Sequence, residues 1–435
     1  MHIYFSGIGG TGIGPLALIA HQAGFTVSGS DKQDSGYITY LRKQGITNIH
    51  IGQSTEAILA VHQQNPIDWF VYSSALPKEQ PQHPELVFTQ EHDIKHTKRD
   101  EFLNYLLREK GLKLLAVAGT HGKTTTTAML IWMFQQMQLP ASYSVGAKLS
   151  FGDMGHFDPS SEYFLYECDE YDRNFLSFSP HLAILSGIDW DHADIYPTRE
   201  SYYEAFRQFI DQSERVVLWR SDAERLGLVG EQADSKWADK LMIIEDDEPA
   251  LEQITLAGEV NRRDALEVLW ALRAGSGLPL DQLVPMMNQF PGVTRRFEQL
   301  RPSLYTDYAH TPKKIEGALQ LAQEVAEANR QKLTVVYEGL HNTRQHFIKD
   351  DLQHLFDAVD SLFVVPSYLA REDPSLELLT PQAIIDLTSK KTGVAADLND
   401  QLKQHIQQEL AAGNLVLCLS AGGGGSLDEW LRREF

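Results

Sequence analysis

Cysteine is nearly absent from this 435-residue chain: Cys168 and Cys418 are its only two. So few thiols, so far apart, exclude a disulfide framework and suit a reducing compartment, so a cytoplasmic location is expected. Positive charge is scarce as well, with 38 Lys and Arg against 59 Asp and Glu and a net charge of −21. That balance argues against nonspecific binding to nucleic acid or anionic membranes. No apolar run approaches the roughly 20 residues that span a bilayer. The opening stretch, MHIYFSGIGGTGIG, has no basic region and is broken by glycines, so it does not read as a signal peptide. Neither a usable internal repeat nor a low-complexity tract is present. What remains is the composition of a soluble globular protein, long enough for about three domains. An acidic protein that binds an anionic ligand must gather positive charge locally, which gives weight to Lys and Arg near glycine loops.

The strongest such loop is GTHGKTTTT at residues 119–127, between the apolar run KLLAVA and a helix-like stretch. Strand, phosphate loop and helix in that order point to ATP. The backbone N–H groups of Gly119, Thr120, His121 and Gly122 are expected to face phosphate oxygens, because glycine leaves no Cβ in the way. Lys123 would reach the β- and γ-phosphates, the Thr124 hydroxyl would ligate Mg²⁺, and Thr125 follows in the first helical turn. The usual G-x-x-x-x-G-K-[ST] signature needs glycine at position 117, where this chain has Val117. The loop is a shorter variant, G-T-x-G-K-T.

A second glycine loop opens the chain. Gly7, Gly9 and Gly12, with Gly10 and Thr11 between them, satisfy G-x-G-x-x-G between a strand and a helix. Asp31 ends the next strand, where it would accept from a ribose hydroxyl or serve as a helix N-cap. A further strand, residues 69–73, ends at Ser73. The polar stretch 92–113, with a helix-like segment at 101–108, reads as a hinge region. Beyond the phosphate loop two strands run into acidic clusters, Glu167-Cys168-Asp169-Glu170-Tyr171-Asp172 and Asp189-Trp190-Asp191-His192-Ala193-Asp194. At the carboxyl ends of parallel strands these would face the loop's edge, and hard oxygen ligands beside a nucleotide suggest Mg²⁺, with His192 completing a second metal site, or else an acidic patch without metal. A helix is expected over 263–274, broken at 275–279. PGVTRRFE at 291–298 reads as a domain junction, and its arginines as a phosphate clamp or a solvated face. The rest alternates strand and helix again, and Gly422–Gly425 reads as an anion nest or a hairpin.

Taken together and in order, these segments resemble the ATP-dependent Mur ligases of bacterial cell-wall synthesis. The likeness runs through essentially the whole chain: GIGGTGIG with SGSD, GTHGKTTTT, ECDEYDRNFL, GIDWDHADIY, PGVTRRFE and TDYAHTP. It is greatest with the branch that joins L-alanine to UDP-N-acetylmuramate. The resemblance implies an α/β protein of three domains: a Rossmann-like UDP-binding domain (1–110), a central P-loop ATPase domain (111–292) and a C-terminal Rossmann-like domain (293–435). It implies ATP and Mg²⁺ as cofactors, small-molecule substrates, and a monomer or homodimer. Gly7, Gly9, Gly10, Thr11, Gly12, Asp31 and Ser73 would hold the UDP-sugar. Lys123 would contact phosphates, Thr124 and Glu167 one Mg²⁺, His192 a second, Asn261 adenine, Arg296 the γ-phosphate and Asp307 the nucleotide ribose. Tyr308, His310 and Arg344 would surround the amino acid, and the three domains would close around the reactants.

The chain departs from that pattern at Val260, where the family carries histidine, and at Leu340-His341-Asn342-Thr343, where the alanine branch reads H-R-Y-T. The Asn-Thr pair is closer to the ligase that attaches a murein tripeptide. Two other classes compete on the glycine loops alone, an NAD(P)-dependent oxidoreductase and a nucleotide-switch module. Neither explains the acidic strand ends.

Overall fold

The computed structural model describes residues 1–192, 195–230, 235–369, 372–420, 422 and 425–435. The chain forms two compact units, residues 1–255 with 263–290, and residues 256–262 with 291–435. Among the described residues no helix is long and apolar enough to cross a membrane.

The first unit holds two sheets. Strands β1 (His2–Ser6), β2 (Thr26–Asp31), β3 (Ile49–Ile51), β4 (Trp69–Tyr72) and β5 (Lys95–Lys98) form a parallel sheet of order β3-β2-β1-β4-β5. The order reverses between β1 and β4, which puts the loop after β1 at the topological switch point, where such sheets bind ligands. The buried apolar strand β1 is followed directly by the glycine loop and the helix Gly14–Gln22.

The stretch expected to be a hinge is instead the edge of this sheet. β5 reads Lys-His-Thr-Lys, and the helix Arg99–Lys110 that follows sinks Phe102, Leu103, Leu106 and Leu107 into the core. An edge strand needs no apolar alternation, and charged residues there block pairing with another chain. Lys95 lies 3.2 Å above the Trp69 ring, and Trp69 Nε1 donates to Thr97 Oγ1 at 2.8 Å.

The second sheet has the order β12-β11-β10-β6-β9-β7-β8. Its strands are β6 (Lys113–Ala118), β7 (Ala141–Ser144), β8 (Gly155–His156), β9 (Tyr163–Glu167), β10 (Leu182–Leu185), β11 (Val216–Trp219) and β12 (Leu241–Ile244), parallel except for β8. β6 sits between β9 and β10, so the phosphate loop after β6 is flanked by both acidic strand ends. Side-chain contacts join the two sheets. Phe157 N donates to Gln22 Oε1 at 2.8 Å, Tyr40 donates to Asp153 at 2.6 Å, and Lys78 and Lys98 both pair with Asp172.

In the second unit, β13 (Glu298–Arg301), β14 (Leu304–Asp307), β15 (Leu333–Leu340), β16 (Ser361–Tyr368), β17 (Val394–Ala395) and β18 (Leu415–Leu419) form a sheet of order β13-β14-β18-β15-β16-β17. Only β13 runs antiparallel to its neighbour. β15, buried along its whole length, is its centre.

The helix expected from residue 263 begins earlier, at Glu259, and ends at Ser276. Its first turn, Glu-Val-Asn-Arg, carries no apolar face to mark it in the sequence.

Phe102 packs edge-on against Phe5 and Trp69, with ring centroids 5.4 and 5.3 Å apart. Phe102→Ala should therefore lower the unfolding free energy of this unit by about 3–5 kcal/mol. A denaturant midpoint unchanged from the parent would mean that this helix is not core.

Candidate active site

The phosphate loop is shaped by what lies under its glycines. Gly119 has φ +144° and rests on the backbone of Ser186, and Gly122 has φ +73°, so neither position accepts an ordinary residue. Loop backbone is pinned from below: Thr120 N donates to Gly187 O at 2.9 Å, so this N–H, expected to face a phosphate, is instead taken by the neighbouring strand end, and Ser186 Oγ donates to His121 O at 2.8 Å. The Thr120 hydroxyl donates to Asp189 O at 2.6 Å and accepts from Asp189 N at 2.9 Å. His121 Nε2 lies 3.8 Å from Asp189 Oδ2. The helix Lys123–Gln136 that leaves the loop has no side-chain cap, and the N–H of its first residue, Lys123, turns back to His121 O at 2.9 Å.

Lys123 and Thr124 turn to different carboxylates. Thr124 Oγ1 donates to Glu167 Oε1 at 2.9 Å, and Glu167 Oε2 accepts from Gly146 N at 2.7 Å. Lys123 Nζ lies 2.7 Å from Glu170 Oε2 and donates to Gly119 O at 2.7 Å. His192 Nε2 lies 3.3 Å from the other oxygen of Glu170, and its ring meets Tyr171 edge-on at 5.1 Å. Glu170 is fully buried and joins the loop lysine to His192. Burial raises its pKa, but the charge of Lys123 and hydrogen bonds from His192 and Lys123 outweigh it, so the group stays ionised well below the carboxylate range. Burial pulls Lys123 down, and Glu170 with Asp169 more than restores it, so the amine stays charged.

The structure thus brings Lys123, Thr124, Glu167 and His192 to one sheet edge. Sequence reading assigned no separate role to Glu170. It stood inside a run of acids, and only the third dimension separates it from Asp169 and Asp172. Among the described residues, no three acid, histidine or cysteine side chains converge as a metal-ligand set. Thr124 and Glu167 are adjacent hard oxygen donors, which suits a Mg²⁺ that keeps several waters. Ala193 and Asp194 of the same motif lie outside the described residues.

At the first glycine loop, Gly7 and Ile8 donate to Ser30 O, and Gly9 N donates to Asp31 Oδ2 at 2.8 Å. Asp31 therefore closes the loop from the strand beside it rather than capping a helix. Gly10 N turns back to Gly7 O at 3.0 Å, Thr11 is exposed, and Ser73 begins the turn after β4. Gly12 carries the Arg99 guanidinium against its Cα. Arg99 also lies 3.9 Å from Asp169 and 3.5 Å from Asp100, a basic group beside the loop that no spacing pattern revealed.

In the second unit, Asp307 ends β14 and accepts from Phe297 N at 2.7 Å. Burial pushes its carboxyl up to about 6, against the pull of Arg296. The guanidinium groups of Arg295 and Arg296 lie 4.6 and 5.3 Å from the Tyr308 ring, and Tyr308 meets His310 edge-on at 5.2 Å. Arg295 also donates to Gly422 O at 2.9 Å and lies 3.3 Å from Asp428. Burial, Lys314, Arg344 and Arg296 hold His310 down at about 3, so it is neutral within a positively charged cluster.

The altered segment after β15 is largely structural. Asn342 bonds Glu377 O and Leu379 N, and Thr343 donates to Glu372 through its backbone N–H at 2.8 Å and its hydroxyl at 3.2 Å. His341 has φ +54° and lies 3.5 Å from the same carboxylate. Asn261 donates to Ala257 O at 2.8 Å, and Val260 beside it is exposed. Of the glycine run near the C-terminus, residues 423 and 424 lie outside the described residues.

The chain matches family models in three consecutive stretches: the Mur ligase family catalytic domain at residues 2–110, the Mur ligase middle domain at 117–243, and the Mur ligase glutamate ligase domain at 295–422. It belongs to the Mur ligase family, a class of ATP-dependent ligases, and the oxidoreductase and nucleotide-switch readings fall away. It is 30% identical over 430 residues to a UDP-N-acetylmuramate–L-alanine ligase of Nocardioides sp., covering 97% of this chain and 93% of that one. A ligase of the same name from Rickettsia massiliae is 28% identical over 99% of this chain and 94% of its own. Two solved structures share the fold over 100% of this chain and 98% of theirs. The UDP-N-acetylmuramate-alanine ligase of Thermotoga maritima has a TM-score of 0.74 at 22% identity. A murein peptide ligase of Psychrobacter arcticus has 0.63 at 21%.

Removing one member of a buried ion pair leaves its partner uncompensated. Glu170→Gln should cost on the order of 3 kcal/mol of stability and cut ATP turnover at least about tenfold. Parental turnover together with a parental melting temperature would contradict this role.

Proposed function

We propose that this Mur ligase forms the amide between L-alanine and the lactyl carboxylate of UDP-N-acetylmuramate, with ATP converted to ADP and phosphate. The observation that carries the chemistry is the arrangement at the second sheet's edge, where Lys123 and the Thr124–Glu167 pair converge beside the phosphate loop. The identity of the substrates is supported by the whole-length likeness to alanine ligases.

A carboxylate is a poor acyl donor until an oxygen is phosphorylated. Its attack on the γ-phosphorus breaks the bond to ADP and yields an acyl phosphate. The amine then adds to the activated carbonyl, and phosphate leaves with the former carboxylate oxygen. Bringing two anions together is the main barrier, and fixed positive charge lowers it. Lys123 would supply that charge at the loop, and Arg296 is the candidate for the γ-phosphate. Thr124 and Glu167 would hold Mg²⁺, which when bound neutralises polyphosphate charge, and His192 would serve a second ion. The Gly7–Gly12 loop with Asp31 and Ser73 would hold the UDP end, Asn261 and Asp307 the adenosine. Tyr308, His310 and Arg344 would receive the amino acid, its carboxylate matched to their positive surroundings. The scarcity of cysteine supports a cytoplasmic setting for the reaction.

Phosphate release should require ATP, Mg²⁺, UDP-N-acetylmuramate and L-alanine together. Faster release with the murein tripeptide than with L-alanine would move the protein to the recycling ligases, and no release with either would overturn the assignment. Lys123→Ala should fold and lose turnover by about 10²-fold or more; surviving turnover would remove Lys123 from the chemistry.

A further inference from the structure

Beneath the phosphate loop lies a group of acids that the reaction does not use. Asp264 and Glu267 sit three residues apart on the helix Glu259–Ser276, and both are buried. The Asp264 carboxyl occupies the space a side chain at Gly122 would fill: a Cβ there would stand 2.6 Å from Oδ2 and 2.8 Å from Oδ1. Oδ2 has no hydrogen-bond partner among the described residues, and neither oxygen of Glu267 has one. Thr126, on the helix that leaves the loop, bonds Gly122 O at 3.1 Å and faces Asp264.

The charges around this group do not neutralise it. Arg263, next along the helix, stacks on Trp219 at 3.8 Å and pairs with Asp246 at 2.9 Å. Asp222, on the helix Arg220–Arg225, accepts from Ile188 N at 3.2 Å and pairs with Arg225 at 2.9 Å. Glu267 faces Asp264 and Asp222, and burial together with those two acids holds its carboxyl well above the carboxylate range, so it brings no positive charge to relieve Asp264.

We infer that Asp264 is a positioning residue for nucleotide binding: as a neutral acid it props Gly122 in the phosphate-binding form, and as a carboxylate it opposes the polyphosphate from behind the loop. The inference rests on the reading that this loop holds a nucleotide. Burial supports it, raising Asp264 to about 7 against the opposing effects of Thr126 and Arg263. Below that pH the carboxyl is neutral. As pH rises through it, a negative charge forms within contact distance of Gly122, so nucleotide affinity falls and binding takes up a proton.

The test compares the parent protein with Asp264→Asn, which keeps the shape of the side chain and cannot ionise. ADP with Mg²⁺ is titrated calorimetrically from pH 6 to pH 8.5, and the ratio of parent to variant Kd cancels the ionisation of the nucleotide itself. The ratio should rise at least threefold over that range. A flat ratio, with both proteins binding, overturns the role of Asp264 while leaving the nucleotide site standing. Absence of ADP and ATP binding to the parent would overturn both. Should the variant fail to fold, the parent alone decides. At pH 8, in buffers of different ionisation enthalpy, it should take up protons on binding ADP, and zero uptake contradicts the inference.

Discussion

The nucleotide edge depends on one buried ion pair, Lys123 with Glu170. The lysine is drawn back over its own loop to Gly119 O, which sets the loop's curl, while its charge is held by a carboxylate that has no exposed surface. Burying either ion alone would cost several kcal/mol, so each keeps the other charged. Glu170 also reaches His192, and its backbone carbonyl accepts from Tyr196 at 2.6 Å. The loops after β6, β9 and β10 are thereby locked into one arrangement, and Thr124 meets Glu167 within it. A phosphate that approaches Lys123 meets a cation whose charge and position are already set, which is preorganisation in its simplest form.

The same economy explains how a chain of net charge −21 manages anions. Its cations are few but concentrated. Arg99 sits against the first glycine loop, Lys123 at the second, and Arg295, Arg296, Lys314 and Arg344 around Tyr308 and His310. The neutrality of His310 follows from that crowding, since a further positive charge there would be buried and repelled. Acids are used structurally in return. Asp31 ties a glycine loop, Glu372 holds the turn after β15, and Asp172 joins the two sheets of the first unit.

Much of this was legible in the sequence where the determinant is local. A glycine loop between an apolar strand and a helix announces itself, because backbone conformation and spacing are written in neighbouring residues. Acidic strand ends were readable for the same reason, and their order along the chain carried the family. Three features escaped. β5 looked like part of a hinge because an edge strand of charged residues has no apolar period, although the helix after it was legible. The start of the helix at Glu259 was hidden by a polar first turn. Glu170, Arg99 and Asp264 act on loops tens to more than a hundred residues away, and only the packing of the strands makes them neighbours. Conversely, Asn342 and Thr343, read as departures near the amino-acid pocket, bind the 372–379 segment.

The account stands on a carboxylate oxygen attacking phosphorus at the edge that Lys123 organises. Its most direct test labels the lactyl carboxylate of UDP-N-acetylmuramate with oxygen-18 and follows one turnover with ATP and L-alanine by mass spectrometry. One labelled oxygen should appear in each phosphate released. Full amide formation with unlabelled phosphate would contradict carboxylate activation and, with it, the role given to this site.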